Sequence, residues 1–508
     1  MSTQRTNETA PVQAGAVSAG PPKVFAAVDI GASSGRVILG RVTSGADGDG
    51  SVQLEVVHRF PNGVVEFDGG LRWDFDALFA EVLEGLRAAS TVAAAQGEQV
   101  ASIGIDTWAV DYGLVNAAGE LMAQPFSYRD DRSRTAVEPV HRKLDPARLY
   151  GTTGLQFLQF NTIYQLATEP DLDGLQALLI PDLIAFFLTG VRRTEATNAS
   201  TTGLFDAVAG EWATEFLTAL GLRKDLFPPL IQPGETVGTL LPAIAGQVGL
   251  PQETTVVAVG SHDTASAVAA VPAAAAGEGQ RDFAYISSGT WSLVGLELPR
   301  PVLTEASREA NFTNERGVDG TIRYLRNMGG LWLLSECQRE WSHQGYAASL
   351  EELLEAAAEL PSGGPRINAE DPSFIAPDNM PERIRAAVHN AGGLLADHPA
   401  AITRCILDSL AAGYAKAISA AERLADRQVE VVHVVGGGSQ NRLLCQLTAD
   451  ATGTRVVAGP VEATALGNVL VQARAAGAVS GGLSELRALV ANAGGLQEFA
   501  PQLARTNT

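Results

Sequence analysis

The sequence predicts an α/β protein of two domains with a functional cleft between them, and three observations lead to that reading. The chain has 508 residues, more than a single hydrophobic core usually serves. An apolar strand, a small-residue turn and a returning strand occur at Val24–Ile30, Gly31–Gly35 and Arg36–Gly40, and the same grammar returns at Phe283–Ile286, Ser287–Thr290 and Trp291–Leu296. Strands that run into helical stretches follow each hairpin, which is the pattern of mixed sheets covered by helices.

Composition narrows the function classes. Lys and Arg number 36 against 57 Asp and Glu, a net charge of −21 with His neutral. Such a field repels nucleic acid and anionic membrane surfaces. It does not exclude a small anion such as ATP, because backbone N–H groups and magnesium act at contact range while summed charge is screened beyond about 10 Å. Cys337, Cys405 and Cys445 are far apart in sequence and form no CxxC pair, so neither a disulfide framework nor a structural zinc site is indicated. Residues 1–22 lack the apolar core of a signal peptide, and no run approaches the roughly 18 apolar residues of a membrane span. They are read as a disordered tail on a cytoplasmic protein.

The elements follow in order. After the first hairpin and a Ser/Gly/Asp loop to Gly50, Val52–Phe60 reads as a third strand. Trp73–Ala94 has helical periodicity, with Asp74 as a cap, and Val100–Ile105 is a strand that ends in Asp106. Residues 130–226 are richer in helical patterning, including Ile180–Leu188, and read as an insertion in the first half. Thr255–Val259 leads as a strand into Gly260–Ala267, placing His262 and Asp263 at a strand-to-helix junction. In the second half a helix around Cys405–Leu424 precedes the strand Val429–Val435, the run Gly436–Ser439 and a helix over 441–452. The division expected is 23–265 for the first domain and 266–495 for the second, with 496–508 as a C-terminal tail.

Several residue types in this pattern carry chemistry. Asp29 ends a buried strand, as Asp106 and Asp263 do in theirs; a carboxylate there either caps its own turn or holds magnesium beside phosphates. The turns at Ser33–Gly35 and Ser288–Thr290 offer N–H and hydroxyl donors with little bulk, which suits a tight hairpin and equally a phosphate. Gly436–Gly438 permits close approach of a ring, a diphosphate or a neighbouring strand. It is not a dinucleotide fingerprint, since Asn441 stands where the last glycine is needed, and no GxxxxGK[ST] loop occurs. His262–Asp263 is either a catalytic pair, with the carboxylate as acceptor for a hydroxyl proton, or an N-cap Asp263 followed by a packed helix. Trp108 and Asp111 offer an apolar face and a polar acceptor of the kind a sugar site uses.

The segments AVDIGASSGRV, SIGIDTWAVDYGLV, GLQFLQFNTIYQL, GSHDTASAV, YISSGTWSLVG, NMGGLWLL, HVVGGGSQN and AGPVEATALGN together resemble the FGGY carbohydrate kinases, over roughly residues 24 to 495. The resemblance implies the actin-like ATPase fold, two ribonuclease H-like domains with the active site in the interdomain cleft, and ATP with Mg²⁺. It points within that family to phosphorylation of L-rhamnulose at the 1-hydroxyl. Asp263 matches the family's catalytic base. Sugar contacts fall on His262, Asp263, Thr264 and Asn327, and on Ala109, where the family pattern has glycine. Nucleotide contacts fall on Ala32, Ser33, Ser34, Gly35 and Arg36, on Thr290 and Gly437, and on Ser335, where a glutamine is expected. Asp29 matches the magnesium-associated acid.

Rival readings remain at this stage. They are an FGGY kinase of another ketose such as L-fuculose or xylulose, a non-catalytic actin-like nucleotide-binding protein, and an NAD-dependent enzyme that oxidises a sugar by hydride transfer. A monomer and a homodimer are equally compatible with the sequence.

Overall fold

A computed structural model of the chain describes residues 22–43, 50–273, 282–346, 348–374 and 378–502. The strand Lys23–Ile30 (β1) is apolar on both faces and buried from Val24 onward, as a central strand must be. It pairs antiparallel with Ser34–Thr43 (β2), which pairs with Ser51–Pro61 (β3). On its other side it runs parallel to Val100–Thr107 (β4), placing Asp29 opposite Asp106. Thr236–Thr239 (β5) and Thr255–Val257 (β6) complete a sheet of order β5-β6-β4-β1-β2-β3.

The second half repeats this plan. Asp282–Ser288 (β7) and Trp291–Leu298 (β8) form the second hairpin, followed by Thr313–Arg316 (β9), Ile322–Gly329 (β10), Val429–Val435 (β11), Arg455–Ala458 (β12) and Gln497–Phe499 (β13). Their order is β9-β10-β8-β7-β11-β12-β13. From β10 to β13 the pairings are antiparallel, antiparallel, parallel, parallel and antiparallel, the same succession as from β3 to β5 in the first sheet.

Helices cover and join the sheets. Phe75–Ala95 (α1) is capped by Asp74, whose side chain accepts from Ala77 N at 3.0 Å. Asp263–Ala269 (α2), Trp332–His343 (α3), Pro399–Ala425 (α4), Arg442–Thr452 (α5) and Ala463–Ala475 (α6) follow. The helical region within 130–226 has an apolar core of its own, including Val140, Tyr164, Phe216 and Phe227. Helix α6 belongs in sequence to the second half but lies against the first sheet and α2. Only glycine permits this: a Cβ on Gly467 would sit 1.8 Å from Ser266 O, and one on Gly104 2.2 Å from Asn468 Oδ1. Polar contacts fix the seam, with Asn468 Nδ2 donating to Asp106 Oδ2 at 2.6 Å, Ser102 Oγ to Gln472 Oε1 at 2.7 Å, and Gln472 Nε2 to Ala26 O at 3.1 Å.

Three differences from the sequence reading have local causes. Residues 497–499, expected in a tail, form β13, because Phe499 finds a buried place beside β12. The boundary expected after residue 265 would cut α2, which continues to Ala269. The cap of α2 is His262 rather than Asp263, and its side chain makes no capping bond. The predicted N-terminal tail lies, apart from Pro22, outside the described residues. The three cysteines are buried and unpaired, and among the described residues no helix is long and apolar enough to cross a membrane.

Candidate active site

One cavity of about 360 Å³ lies where the two hairpins face each other. The first hairpin contributes Asp29, Ala32, Ser33, Ser34 and Arg36, and the second contributes Ser287 to Trp291. Trp108 and Ala109 enter from the end of β4, His262, Asp263 and Thr264 from the start of α2, Asn327 from β10 and Gly437 from the turn after β11. Thirteen of the sixteen residues expected to act as catalytic, sugar, nucleotide or metal contacts therefore share one cavity. Gly35, Asp111 and Ser335 do not line it.

The loop carrying His262 and Asp263 is held from behind by Glu195. This buried carboxylate accepts from Ser261 N at 3.1 Å and Ser261 Oγ at 2.7 Å, and also from Thr197 Oγ1 at 2.5 Å and Asn198 N at 3.2 Å. Burial raises its pKa, against the pull of these bonds. Thr107 N donates to Ser261 O at 2.9 Å, tying the loop to β4. Asp263 Oδ1 accepts from Thr264 N at 2.5 Å and Thr264 Oγ1 at 3.0 Å, and lies 3.4 Å from His262 Nε2. None of these contacts uses Oδ2, and a third of the Asp263 side chain is exposed to the cavity.

Asp29 is 5% exposed. Arg36 donates to its Oδ2 from Nε at 3.0 Å and Nη2 at 2.8 Å, and the same Nη2 lies 3.1 Å from Glu462 Oε2 just before α6. Burial raises the Asp29 pKa; Arg36 opposes that, while Asp263 and Glu462 add to it. Asp106 is pushed well up by burial and by the negative charges of Asp29 and Asp263, with the Asn468 hydrogen bond opposing. Among the described residues no three His, Cys, Asp or Glu side chains surround a common cation position. The site nonetheless fits magnesium, which keeps several waters and takes one or two carboxylates plus phosphate oxygens. Arg36 leaves the other Asp29 oxygen unengaged.

The glycine run after β11 is divided in purpose. A Cβ on Gly438 would fall 2.0 Å from Ser288 Oγ, and Gly436 has φ 82° with Ser288 O 3.0 Å from its Cβ position. Both are required by packing against the second hairpin. Gly437 has nothing within 4 Å of its Cβ position and faces the cavity.

An aromatic wall closes the side of the cavity beside Ala109. Trp108 lies on Trp73, with ring centroids 4.2 Å apart, and Tyr128 lies on Phe160 at 5.2 Å. Asp111 stands behind this wall instead of in the cavity. It accepts from Trp73 Nε1 at 2.7 Å, Trp108 Nε1 at 3.0 Å, Tyr128 N at 3.1 Å and Gln165 Nε2 at 2.9 Å. Burial raises its pKa to about 6 despite these bonds. The left-handed backbone of the loop falls on Val110, φ 68°, and not on Ala109; a β-branched residue there is strained. The Ala109 methyl lines the cavity.

Two further residues expected at the nucleotide lie outside the cavity lining. Gly35 backs the first turn, since a Cβ there would meet the Phe60 ring at 2.2 Å. Ser335 is exposed on α3, whose N-terminal backbone binds the second hairpin through Leu331 N to Gly289 O at 3.0 Å and Trp332 N to Thr290 O at 3.2 Å. Its short side chain does not reach back to the cavity. Glu195, Gln156, Glu315 and Arg323 were not singled out in the sequence. Gln156 Oε1 accepts from Asn327 N and Nδ2, both at 3.1 Å, across the cleft.

The N-terminal domain of the FGGY family of carbohydrate kinases matches residues 24–270, and its C-terminal domain matches residues 284–476. The chain belongs to the FGGY family of carbohydrate kinases. Its similarity to a rhamnulokinase of Bacteroides thetaiotaomicron is 40% identity over 484 residues, 94% of this chain and 96% of the relative. To a rhamnulokinase of Enterococcus faecalis it is 41% over 460 residues, 90% of each. Solved FGGY-like folds superpose across nearly the whole chain: xylulose kinase from Rhodospirillum rubrum with TM-score 0.74, 17% identity and 94% of both chains covered, and Plasmodium falciparum glycerol kinase with ADP with TM-score 0.73, 14% identity and 95% and 94% covered. The FGGY kinase fold is thus the two-domain α/β architecture expected from the sequence.

Proposed function

We propose that this FGGY kinase transfers the γ-phosphoryl group of ATP to the 1-hydroxyl of L-rhamnulose, giving L-rhamnulose 1-phosphate and ADP. The observation that carries the reading is the meeting, in one cavity, of the Asp263 carboxylate with two small-residue turns from opposite halves, in a chain about 40% identical to rhamnulokinases along nearly its whole length.

In this reading the nucleotide phosphates lie between Ala32–Arg36 and Thr290, with Gly437 leaving room for the nucleoside. The sugar lies against Trp108 and Ala109, between His262–Thr264 and Asn327. As O1 bonds to the γ-phosphorus and the bond to the ADP oxygen breaks, the O1 proton passes to Asp263 Oδ2. Proton transfer to this carboxylate can follow much of the P–O bond change. Asp29 would hold Mg²⁺, which when bound offsets the developing phosphate charge. Arg36 orients Asp29. A cleft bridged by sugar excludes water that would otherwise compete with O1.

ADP release across L-rhamnulose, L-fuculose, D-xylulose, L-ribulose and glycerol tests the assignment. L-Rhamnulose should give the highest kcat/KM. The Ala109 methyl favours a second reading, in which a smaller ketose fits better; a clear preference for one would replace the rhamnulose assignment. ATP binding without sugar-dependent ADP release would instead support a non-catalytic protein.

A further inference from the structure

The side of His262 turned away from the cavity meets a charged pair supplied by the other half of the molecule. Arg323 on β10 donates from Nη2 to His262 Nδ1 at 3.1 Å. The same guanidinium donates from Nε to Arg316 O at 3.1 Å, and its Nη1 lies 3.0 Å from Glu315 Oε2 on β9. Arg323 is fully buried and the Glu315 side chain is 4% exposed, so neither charge has water as an alternative partner. Glu315 Oε2 also lies 3.2 Å from His262 Nδ1.

Two tautomers of His262 are therefore in competition: Nδ1–H facing Glu315, or a bare Nδ1 that accepts from Arg323. A guanidinium can only donate, and its N–H points at Nδ1. Glu315 Oε2 has no aligned hydrogen bond to either His262 Nδ1 or Arg323 Nη1, so it meets both at ion-pair distance only. Burial pushes the Glu315 carboxyl up, while the Arg323 charge first, and the neighbouring His262 after it, hold it below the ordinary value. With Nδ1 bare, the ring proton sits on Nε2, the nitrogen 3.4 Å from Asp263 Oδ1.

We propose that Arg323, charge-matched by Glu315, is a positioning residue that fixes His262 as its Nε2–H tautomer, so that a hydrogen-bond donor is presented to the sugar beside Asp263. The contact crosses the cleft: His262 precedes α2 in the first half, whereas Glu315 and Arg323 lie on the second sheet. The donor is consequently set only while the halves are together. That the donor meets a sugar rests on the proposed function; the tautomer itself does not.

Nitrogen-15 NMR of the full chain reads the tautomer directly, with the His262 signals assigned by their loss in His262→Gln. The wild type should show an unprotonated Nδ1 and a protonated Nε2. The double variant Arg323→Met with Glu315→Gln leaves no unpaired buried charge. It should lose the single tautomer and raise the ketose KM by about 10- to 100-fold, with the ATP KM unchanged. Arg323→Lys, which keeps a donor and its charge, should recover part of that loss. If the double variant does not fold, Glu315→Gln alone should retain the Nε2–H tautomer. A wild-type Nδ1–H signal would overturn the proposal, as would an unaltered tautomer in the folded double variant or a tautomer change without effect on the ketose KM. If no ketose is phosphorylated by the wild type, the kinase assignment fails separately, while the NMR signal still decides the tautomer.

Discussion

The two halves share a strand order but carry opposite chemistry at matching places. Asp29 and Ser287 each occupy the penultimate pair of their hairpin, opposite Arg36 and Leu293, and face Asp106 and Val435 on the parallel neighbour. The first half therefore concentrates charge where the second presents hydroxyls, backbone N–H groups and apolar side chains. A proton acceptor and a metal-associated acid need charges placed with accuracy; a nucleotide needs donors without bulk. The duplicated frame explains the paired turns, and under the proposed function both turns meet the nucleotide phosphates while the acids that serve the transfer stand on the first half alone.

The largest break in this division should come from Asp263→Asn. The amide keeps the shape but cannot take the hydroxyl proton, so turnover should fall by about 10²–10⁴ while ATP affinity changes little. Steady-state kinetics with calorimetric ATP binding checks both parts, and near-wild-type turnover at saturating sugar would return Asp263 to a structural role. Asp29→Ala should lower turnover by about 10- to 1,000-fold and alter the magnesium response, with sugar affinity retained. An unchanged magnesium dependence would leave Asp29 as a partner of Arg36 alone.

On the second half the expected effects are smaller and concern binding. The methyl of Gly438→Ala would press on Ser288, costing about 1–3 kcal/mol in stability and weakening ATP binding more than ketose binding. Adding Ser288→Gly should restore part of both, a coupling that a double-mutant cycle measures.

The smallest effect tests the wall behind the sugar. Burial raises the Asp111 pKa from 3.8 to about 6, so the folded state holds a proton that the unfolded state releases. This group's favourable contribution is present below about pH 4 and is lost as pH rises to about 6. Asp111→Asn should remove that component from a stability–pH profile and leave the slope above pH 7 unaltered. A profile identical to the wild type would show that Asp111 titrates normally.

Much of the frame was legible because strand alternation and small-residue turns are local signals. Both hairpins, β4, β11 and α1 lie where their patterns predict them. The cleft residues His262 and Asp263 were legible for the same reason, standing between an apolar strand and an alanine-rich helix. What could not be read depends on distant partners. Nothing around Asn468 and Gln472 announces that α6 lies on the first sheet, since that contact depends on Gly104, far away in sequence. Glu195 sits in a two-residue strand, too short for periodicity. Arg323 offered a faint signal, a charge within the otherwise apolar inward run of β10. Asp111 was misplaced because its residue type suits both a sugar contact and a buried acceptor, and only exposure separates them. Ser335, expected at the nucleotide by resemblance alone, stands at an exposed helix position outside the cavity lining.

In the proposed reaction Asp263 accepts a proton while the phosphoryl group passes directly from ATP to O1. Configuration at phosphorus decides most directly whether the transfer is direct. With ATP made chiral at the γ-phosphoryl group by oxygen isotopes, one in-line transfer predicts inversion in the L-rhamnulose 1-phosphate formed. Retention would mean two displacements through a phosphorylated enzyme side chain and would contradict the role assigned to Asp263.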